Sequence, residues 1–209
     1  MNILITGVSS GLGNALKDEY LNLKHDVYGL SRRKVESCNH ITCDLSNIDM
    51  IGTNLKMLLD GVKDIDVLFL NAGKLGDIKT FSNWSYGEIQ EIMNVNVWSN
   101  KYILDFLFNT GIKVKQVVAI SSGAARHTYK GWGGYSISKA SLKMLMDIYS
   151  KEIEDTHFIS IAPGLVDTDM QDYLCNDVDV KEFPVINKFI ESKKTGLTNK
   201  PDIVAKKII

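Results

Sequence analysis

Proline occupies only three of 209 positions and cysteine three more. So few prolines exclude a proline-rich linker, and no low-complexity tract or period of 20 to 50 residues interrupts the chain. The cysteines, Cys38, Cys43 and Cys175, are odd in number and in no metal-ligand spacing. That excludes a disulfide framework or a recognisable metal site, so free buried thiols in a reducing, cytoplasmic setting are expected. No apolar run reaches the ~18 residues of a membrane span, and the N-terminus opens on a strand-like run rather than an export signal. Charge excess is missing too. With 24 basic and 25 acidic residues the net charge is -1, without the broad basic footprint of a nucleic-acid binder or a polybasic membrane anchor. What remains is a soluble chain whose residues 1–209 suit one domain, long enough to bury roughly 70% of its unfolded surface without staples.

Short β-branched runs are present instead, at Asn2–Thr6, Asp26–Leu30, Asn39–Cys43, Asp66–Leu70, Gln116–Ser121 and Phe158–Ala162. Runs apolar on successive residues suit strands covered on both faces. Between them the periodicity predicts helices near 12–23, 48–60, 86–108, 136–153 and 201–209. This alternation predicts an α/β fold, a Rossmann-type doubly wound parallel sheet with right-handed crossovers. Pro201 and Asp202 open a last helix of about two turns, and no strand follows it. Either a last strand is absent or the chain is a shortened form of a longer product.

The first strand runs into Thr6-Gly7-Val8-Ser9-Ser10-Gly11-Leu12-Gly13 and then a helix. Glycines here permit positive φ and let the backbone approach a pyrophosphate at the helix N-terminus; alone they mark only a tight turn. The first βα junction is the context in which such a loop binds a dinucleotide. The second strand ends in Ser31-Arg32-Arg33, where an acidic residue would select a free ribose and arginine a 2′-phosphate. The chain has 21 lysines and three arginines, and two of the three sit here. Forked guanidinium donors suit phosphate, so NADP(H) is preferred over NAD(H), which stays possible alongside a plain basic loop. Asp44, after the third strand, either caps the helix after it or meets an adenine ring.

Tyr135 and Lys139 lie four apart on one predicted helix face, a spacing that Tyr20 and Lys24 share. Only the former pair has a serine, Ser122, thirteen residues earlier at a strand end, where ligands approach an open α/β sheet. Reduction of a carbonyl needs a proton for the emerging alkoxide. Tyr135 can supply it, Lys139 can favour its phenolate, and Ser122 can orient the carbonyl oxygen.

In order along the chain stand TGVSSGLG (Thr6–Gly13), CDLS with Asp44 and Leu45, NAG (Asn71, Ala72, Gly73), NVN with Asn96, Ser122, YSISK and PGLVDT (Pro163–Thr168). In these motifs the chain resembles the short-chain dehydrogenase/reductase family, in its short single-domain branch. TGVSSGLG, SRR and PGLVDTDM are most similar to small NADPH carbonyl reductases of the sepiapterin- or benzil-reductase type. The resemblance implies that Asp44 meets adenine, that Asn71-Ala72-Gly73 packs beside the cofactor, and that Asn96 interrupts its helix and holds a water reaching Lys139. It implies that Pro163, Gly164, Val166 and Thr168 close over the nicotinamide carboxamide and pyrophosphate. It also implies a seventh strand, which is not found. That omission exposes the sixth strand and puts a tetramer in doubt, while a homodimer through the helices near 86–108 and 136–153 is expected.

Substrate contacts are expected from Ala124, His127, Trp132 and Met170–Val180, with Trp84 nearby, while Arg126 is either a holder of an anionic or carbonyl-rich substrate or, the preferred reading, an exposed loop arginine. The stretch 171–198 has too little periodicity for a helix and is expected as a lid. The expected activity is NADPH-dependent reduction of a ketone or aldehyde. The alternatives are a nucleotide-binding protein without turnover and an NAD-linked alcohol dehydrogenase. The substrate itself is not legible.

Overall fold

The computed structural model describes residues 1–209. Six strands form one sheet: β1 (Asn2–Thr6), β2 (Asp26–Ser31), β3 (Asn39–Thr42), β4 (Asp64–Leu70), β5 (Lys113–Ile120) and β6 (His157–Ile161). All pairings are parallel and the order is β3-β2-β1-β4-β5-β6. The order reverses between β1 and β4, which opens a crevice at the carboxyl ends of these two central strands. This is the doubly wound sheet expected from the alternating pattern.

Side-chain alternation explains how apolar strands feed two cores. Ile3, Ile5, Phe69, Val118 and Ile120 point to one face, where α1 (Gly11–Asn22) and α8 (Pro201–Ile208) cover them. Leu4, Leu68, Leu70, Val117 and Ala119 point to the other. There they meet α2 (Ile51–Leu58), α4 (Ser99–Asn109) and α5 (Gly133–Glu152). A third cluster sits beyond the strand ends and includes Trp84, Trp132, Tyr135, Phe183 and Ile186. It packs the start of α5 against α3 (Tyr86–Met93), α6 (Asp169–Asn176) and α7 (Ile186–Lys194).

The interruption that the resemblance implied at Asn96 is found, and the stretch 171–198 is corrected. The helix expected over 86–108 is α3 and α4 joined by a five-residue π turn at Asn94–Trp98. The helical period alone does not mark such a turn, a single wider i→i+5 turn inside an α-helix. The stretch 171–198 is not featureless: it holds most of α6 and all of α7. The signal was weak because only Gln171 and Leu174 of α6 and Ile186 of α7 are fully buried. Short helices that bury one or two positions leave little periodicity to read.

Candidate active site

A cleft of about 1060 Å³ runs from the glycine loop across the carboxyl ends of β1, β4 and β5 to α6 and α7. At one end, Gly7 and Gly11 adopt φ of +76° and +52°, a region that only glycine enters freely, which leaves the loop backbone bare toward the cleft. Gly13 does not line it. A Cβ there would stand 2.2 Å from the Gly7 carbonyl oxygen, so this glycine lets α1 pack against the loop. The Thr6 hydroxyl accepts from the Asn71 and Ala72 amides at 2.9 and 3.0 Å. Asn71 Nδ2 donates to the Thr6 carbonyl at 2.9 Å. These bonds tie the segment after β4 to the glycine loop, so Ser9, Ser10, Leu12, Asn71, Ala72 and Gly73 form one wall.

Beyond β2, Ser31, Arg32 and Arg33 line the same cleft with Asp44 and Leu45. Every ion pair in the protein uses a lysine, so both guanidinium groups are unpaired. Asp44 does not cap a helix. Its carboxylate accepts from the Ser46 amide and hydroxyl, each at 2.9 Å, and closes its own turn. Those bonds, with the nearby Arg32 and Lys74 charges, hold the Asp44 carboxyl below its ordinary range.

At the cleft's other end Ser122, Tyr135 and Lys139 converge. Ser122 follows β5 in extended backbone, and its hydroxyl accepts from the Ala124 amide at 3.1 Å. Tyr135 is in the first turn of α5 and Lys139 one turn on, so both face the sheet and both are buried. Burial pushes the Tyr135 phenol up from its ordinary range, and the Ser122 hydroxyl offsets part of that. Burial alone brings the Lys139 ammonium down to about 8. Its Nζ donates to the Ile120 carbonyl at 2.8 Å and lies 5.7 Å from the Tyr135 ring centre. In this arrangement desolvation outweighs any help the lysine gives to the phenolate.

Asn96 lies behind this group and off the cleft surface, with no exposed area. Its Oδ1 accepts from the Lys74 amide at 2.7 Å, and its Nδ2 donates to the Lys74 carbonyl and the Ser138 hydroxyl, each at 2.8 Å. Ser138 in turn donates to the Tyr135 carbonyl at 2.8 Å. The π turn is what brings Asn96 inward, and its own carbonyl accepts from Asn100 Nδ2 at 2.8 Å.

Pro163, Gly164, Val166 and Thr168 close the cleft from the loop after β6. Ala124, His127, Trp132, Met170 and Leu174, expected near a substrate, line the cleft. Arg126 and Trp84 do not. Arg126 points away as an exposed loop residue, and Trp84 packs under Gly76 and Gly134 in the third cluster. Sequence reasoning missed Tyr129, Lys74 and Phe189, all of which line the cleft. Phe189 stacks on Trp132 at 5.3 Å, and the spacing Ile186-Phe189-Ile190 was the available signal of a helix face. It missed His40 as well, whose Nε2 lies 2.8 Å from the Ser31 hydroxyl.

The family model for short chain dehydrogenase matches residues 1–179. A benzil reductase ((S)-benzoin forming) of Bacillus subtilis is 34% identical over 97% of this chain and 89% of its own length. A sepiapterin reductase of Xenopus laevis is 36% identical over 77% of this chain and 62% of its own. A crystal structure of a yeast short-chain dehydrogenase/reductase, YIR035C from Saccharomyces cerevisiae, superposes with a TM-score of 0.87. It covers 96% of this chain and 85% of its own at 23% identity, which speaks to the fold. With the family model spanning the whole sheet and the whole Ser122–Lys139 segment, this chain belongs to the short-chain dehydrogenase family and is an NAD(P)-dependent oxidoreductase.

Proposed function

We propose that the protein reduces an uncharged aromatic ketone or diketone with NADPH, Tyr135 delivering the proton. The observation that carries this reading is the union, in one cleft, of an unpaired arginine pair at one end with a buried, protonated phenol at the other. The residues fit a nicotinamide dinucleotide. The bare backbone at Gly7 and Gly11 suits a pyrophosphate against the α1 N-terminus. A Cβ at Gly73 would stand 3.4 Å from Lys139 Nζ and 3.5 Å from Asn96 Oδ1, so glycine keeps that space open beside the catalytic group. Arg32 and Arg33 would hold a 2′-phosphate, Asp44 and Leu45 the adenine side, and Asn71, Ala72, Pro163, Gly164, Val166 and Thr168 the nicotinamide half.

The bound dinucleotide supplies the hydride. The chain's own residues do the rest. Ser122 donates to the substrate carbonyl oxygen and fixes its direction. Tyr135 gives its phenolic proton to that oxygen as it gains alkoxide character. Lys139 then steadies the phenolate, a role that needs its ammonium to turn from the Ile120 carbonyl. Asn96 acts through Lys74 and Ser138, by holding the backbone on both sides of the site.

Trp132, Phe189, Tyr129, Met170 and Leu174 make this part of the wall largely aromatic and apolar, with His127, Asp169 and Gln171 as polar members. Such a wall favours flat, uncharged rings. The benzil reductase relatives support an aromatic diketone among the substrates. α6 and α7 would act as the lid over it. The three free cysteines fit a reducing, cytoplasmic setting.

Titration of the purified protein with NADPH and NADH, followed by addition of benzil, tests the reading. Preferential NADPH binding, with nicotinamide absorbance lost on adding benzil, is the expected result. Replacing Arg32 by alanine is expected to weaken NADPH far more than NADH, and equal losses would sink the 2′-phosphate assignment.

A further inference from the structure

The Ser31 hydroxyl sits at the cleft, but its one donor is already committed. Its Oγ donates to the Arg33 carbonyl at 2.7 Å and lies 2.8 Å from His40 Nε2. A serine hydroxyl carries one proton. If that proton is on the Arg33 carbonyl, the second bond must run the other way, from His40 Nε2–H to Ser31 Oγ. His40 is thereby fixed as the tautomer, or the doubly protonated form, that carries hydrogen on Nε2.

The geometry has a mechanical consequence. His40 lies on the edge strand β3, paired to Gly29 of β2, and does not line the cleft. From behind, its donated hydrogen occupies the acceptor side of Ser31 and turns the serine's own proton outward, onto the Arg33 carbonyl. The backbone of the turn is anchored a second time where the Cys43 amide donates to the Ser31 carbonyl at 3.0 Å. The side chains that this turn presents to the cleft are Arg32 and Arg33, which make no ion pair of their own to hold them. An arginine fork gains its selectivity from being aimed before the phosphate arrives.

We infer that His40 is a positioning residue for cofactor choice: through Ser31 it clamps the Arg32–Arg33 turn in the shape that receives a 2′-phosphate. This rests on the proposed NADPH preference and goes beyond it, since the two arginines alone would bind phosphate from a loose turn with less discrimination. His40 does not line the cleft and reaches it only through Ser31.

The test is equilibrium binding of NADPH and NADH to the purified chain, read as the ratio of their dissociation constants, with no turnover needed. His40→Leu removes the donor at similar volume and is expected to narrow the NADPH-over-NADH ratio by about tenfold, the size of one lost hydrogen bond. NADH affinity should stay within about twofold, which a general loss of structure would not allow. His40→Gln, whose side-chain amide can donate from nearly the same place, is expected to restore the ratio. Ser31→Ala should reproduce the His40→Leu effect, and the double variant should add nothing more, as for two members of one chain.

Arg32→Ala runs alongside as the control for the underlying reading. If it leaves the ratio unchanged, the 2′-phosphate assignment fails and this inference with it. If it collapses the ratio while His40→Leu and Ser31→Ala do not, the assignment stands and the positioning role of His40 is overturned.

Discussion

Lys139 Nζ donates to the Ile120 carbonyl at 2.8 Å rather than to the Tyr135 phenol, whose ring centre lies 5.7 Å away. Burial acts on both titratable groups in the direction of the neutral form: the phenol keeps its proton, and the ammonium is pushed toward losing one. For a reductase this is a sensible resting state, because the proton to be delivered is already in place.

Removing that proton should stop the chemistry without emptying the cleft. Tyr135→Phe is expected to lower kcat by about a thousandfold, within the range of a lost general acid, while NADPH affinity changes little. Single-turnover kinetics and cofactor fluorescence separate the two. A variant that keeps more than about a tenth of the activity would remove Tyr135 from the proton step.

The Lys139 ammonium should set an alkaline limb. The Tyr135 phenol stays protonated well past neutrality, but Lys139 deprotonates near 8, and a neutral amine cannot support a phenolate. Reductive kcat/KM is expected to fall as pH rises through about 8. The stability sign is opposite. Lys139 has a folded pKa of about 8 against 10.5 unfolded, so between these values the unfolded chain binds the extra proton. Stability relative to Lys139→Met should therefore rise with pH across that window. Urea unfolding of both proteins at the two ends of the window checks it, and a falling difference would contradict the burial argument.

Much of this site was legible because its parts are tied to local backbone events. Gly7 and Gly11 mark a turn that other residues enter poorly, Gly13 a close approach of α1 to the loop, and Tyr135 and Lys139 are one helical turn apart whatever surrounds them. The arginine pair stood out against a lysine-rich background. What escaped were features set by long-range packing. The α7 helix buries one narrow face, and His40 meets Ser31 only because β3 pairs with β2 in one register. The π turn at Asn94–Trp98 was implied by the Asn96 motif and not by periodicity.

Asn96 tests how far the site depends on buried hydrogen bonds. Asn96→Ala would strand the part-buried Lys74 amide and carbonyl and remove a donor to the buried Ser138 hydroxyl. Each unmade buried bond costs about 1–3 kcal/mol, so a loss of roughly 3 kcal/mol in unfolding free energy is expected. Asn96→Asp should recover little, since a carboxylate cannot donate to the Lys74 carbonyl. A loss under about 0.5 kcal/mol would mean that the π turn holds itself.

The stacked pair Trp132 and Phe189 should govern substrate size. Phe189→Ala deletes the ring that α7 lays over Trp132 at 5.3 Å. It is expected to raise KM for a diaryl diketone by about tenfold, from lost aromatic contact, while a small aliphatic diketone is handled as before. NADPH affinity should not move, because Phe189 is far along the cleft from Arg32. Equal effects on both substrates would point to a general loosening of the lid rather than to recognition of rings.

The outer face of α4 and α5 carries the assembly prediction. Trp98, Tyr102, Ile137, Met144 and Ile148 are each between 41% and 59% exposed, an apolar surface on two helices that the sheet core does not use. Ile137, Met144 and Ile148 recur on one stripe of α5, seven and four residues apart. The same two helices are braced by the hydrogen bond from Tyr149 to Asp105, so the surface is presented rigidly. A second copy of the chain, packing the same face symmetrically, would cover this stripe. Sedimentation equilibrium should then give a dimer, and Ile148→Lys with Met144→Glu should give a folded monomer that still binds NADPH, because neither residue lines the cleft. A monomeric parent chain, or a dimer indifferent to both changes, would show that this face is not the contact.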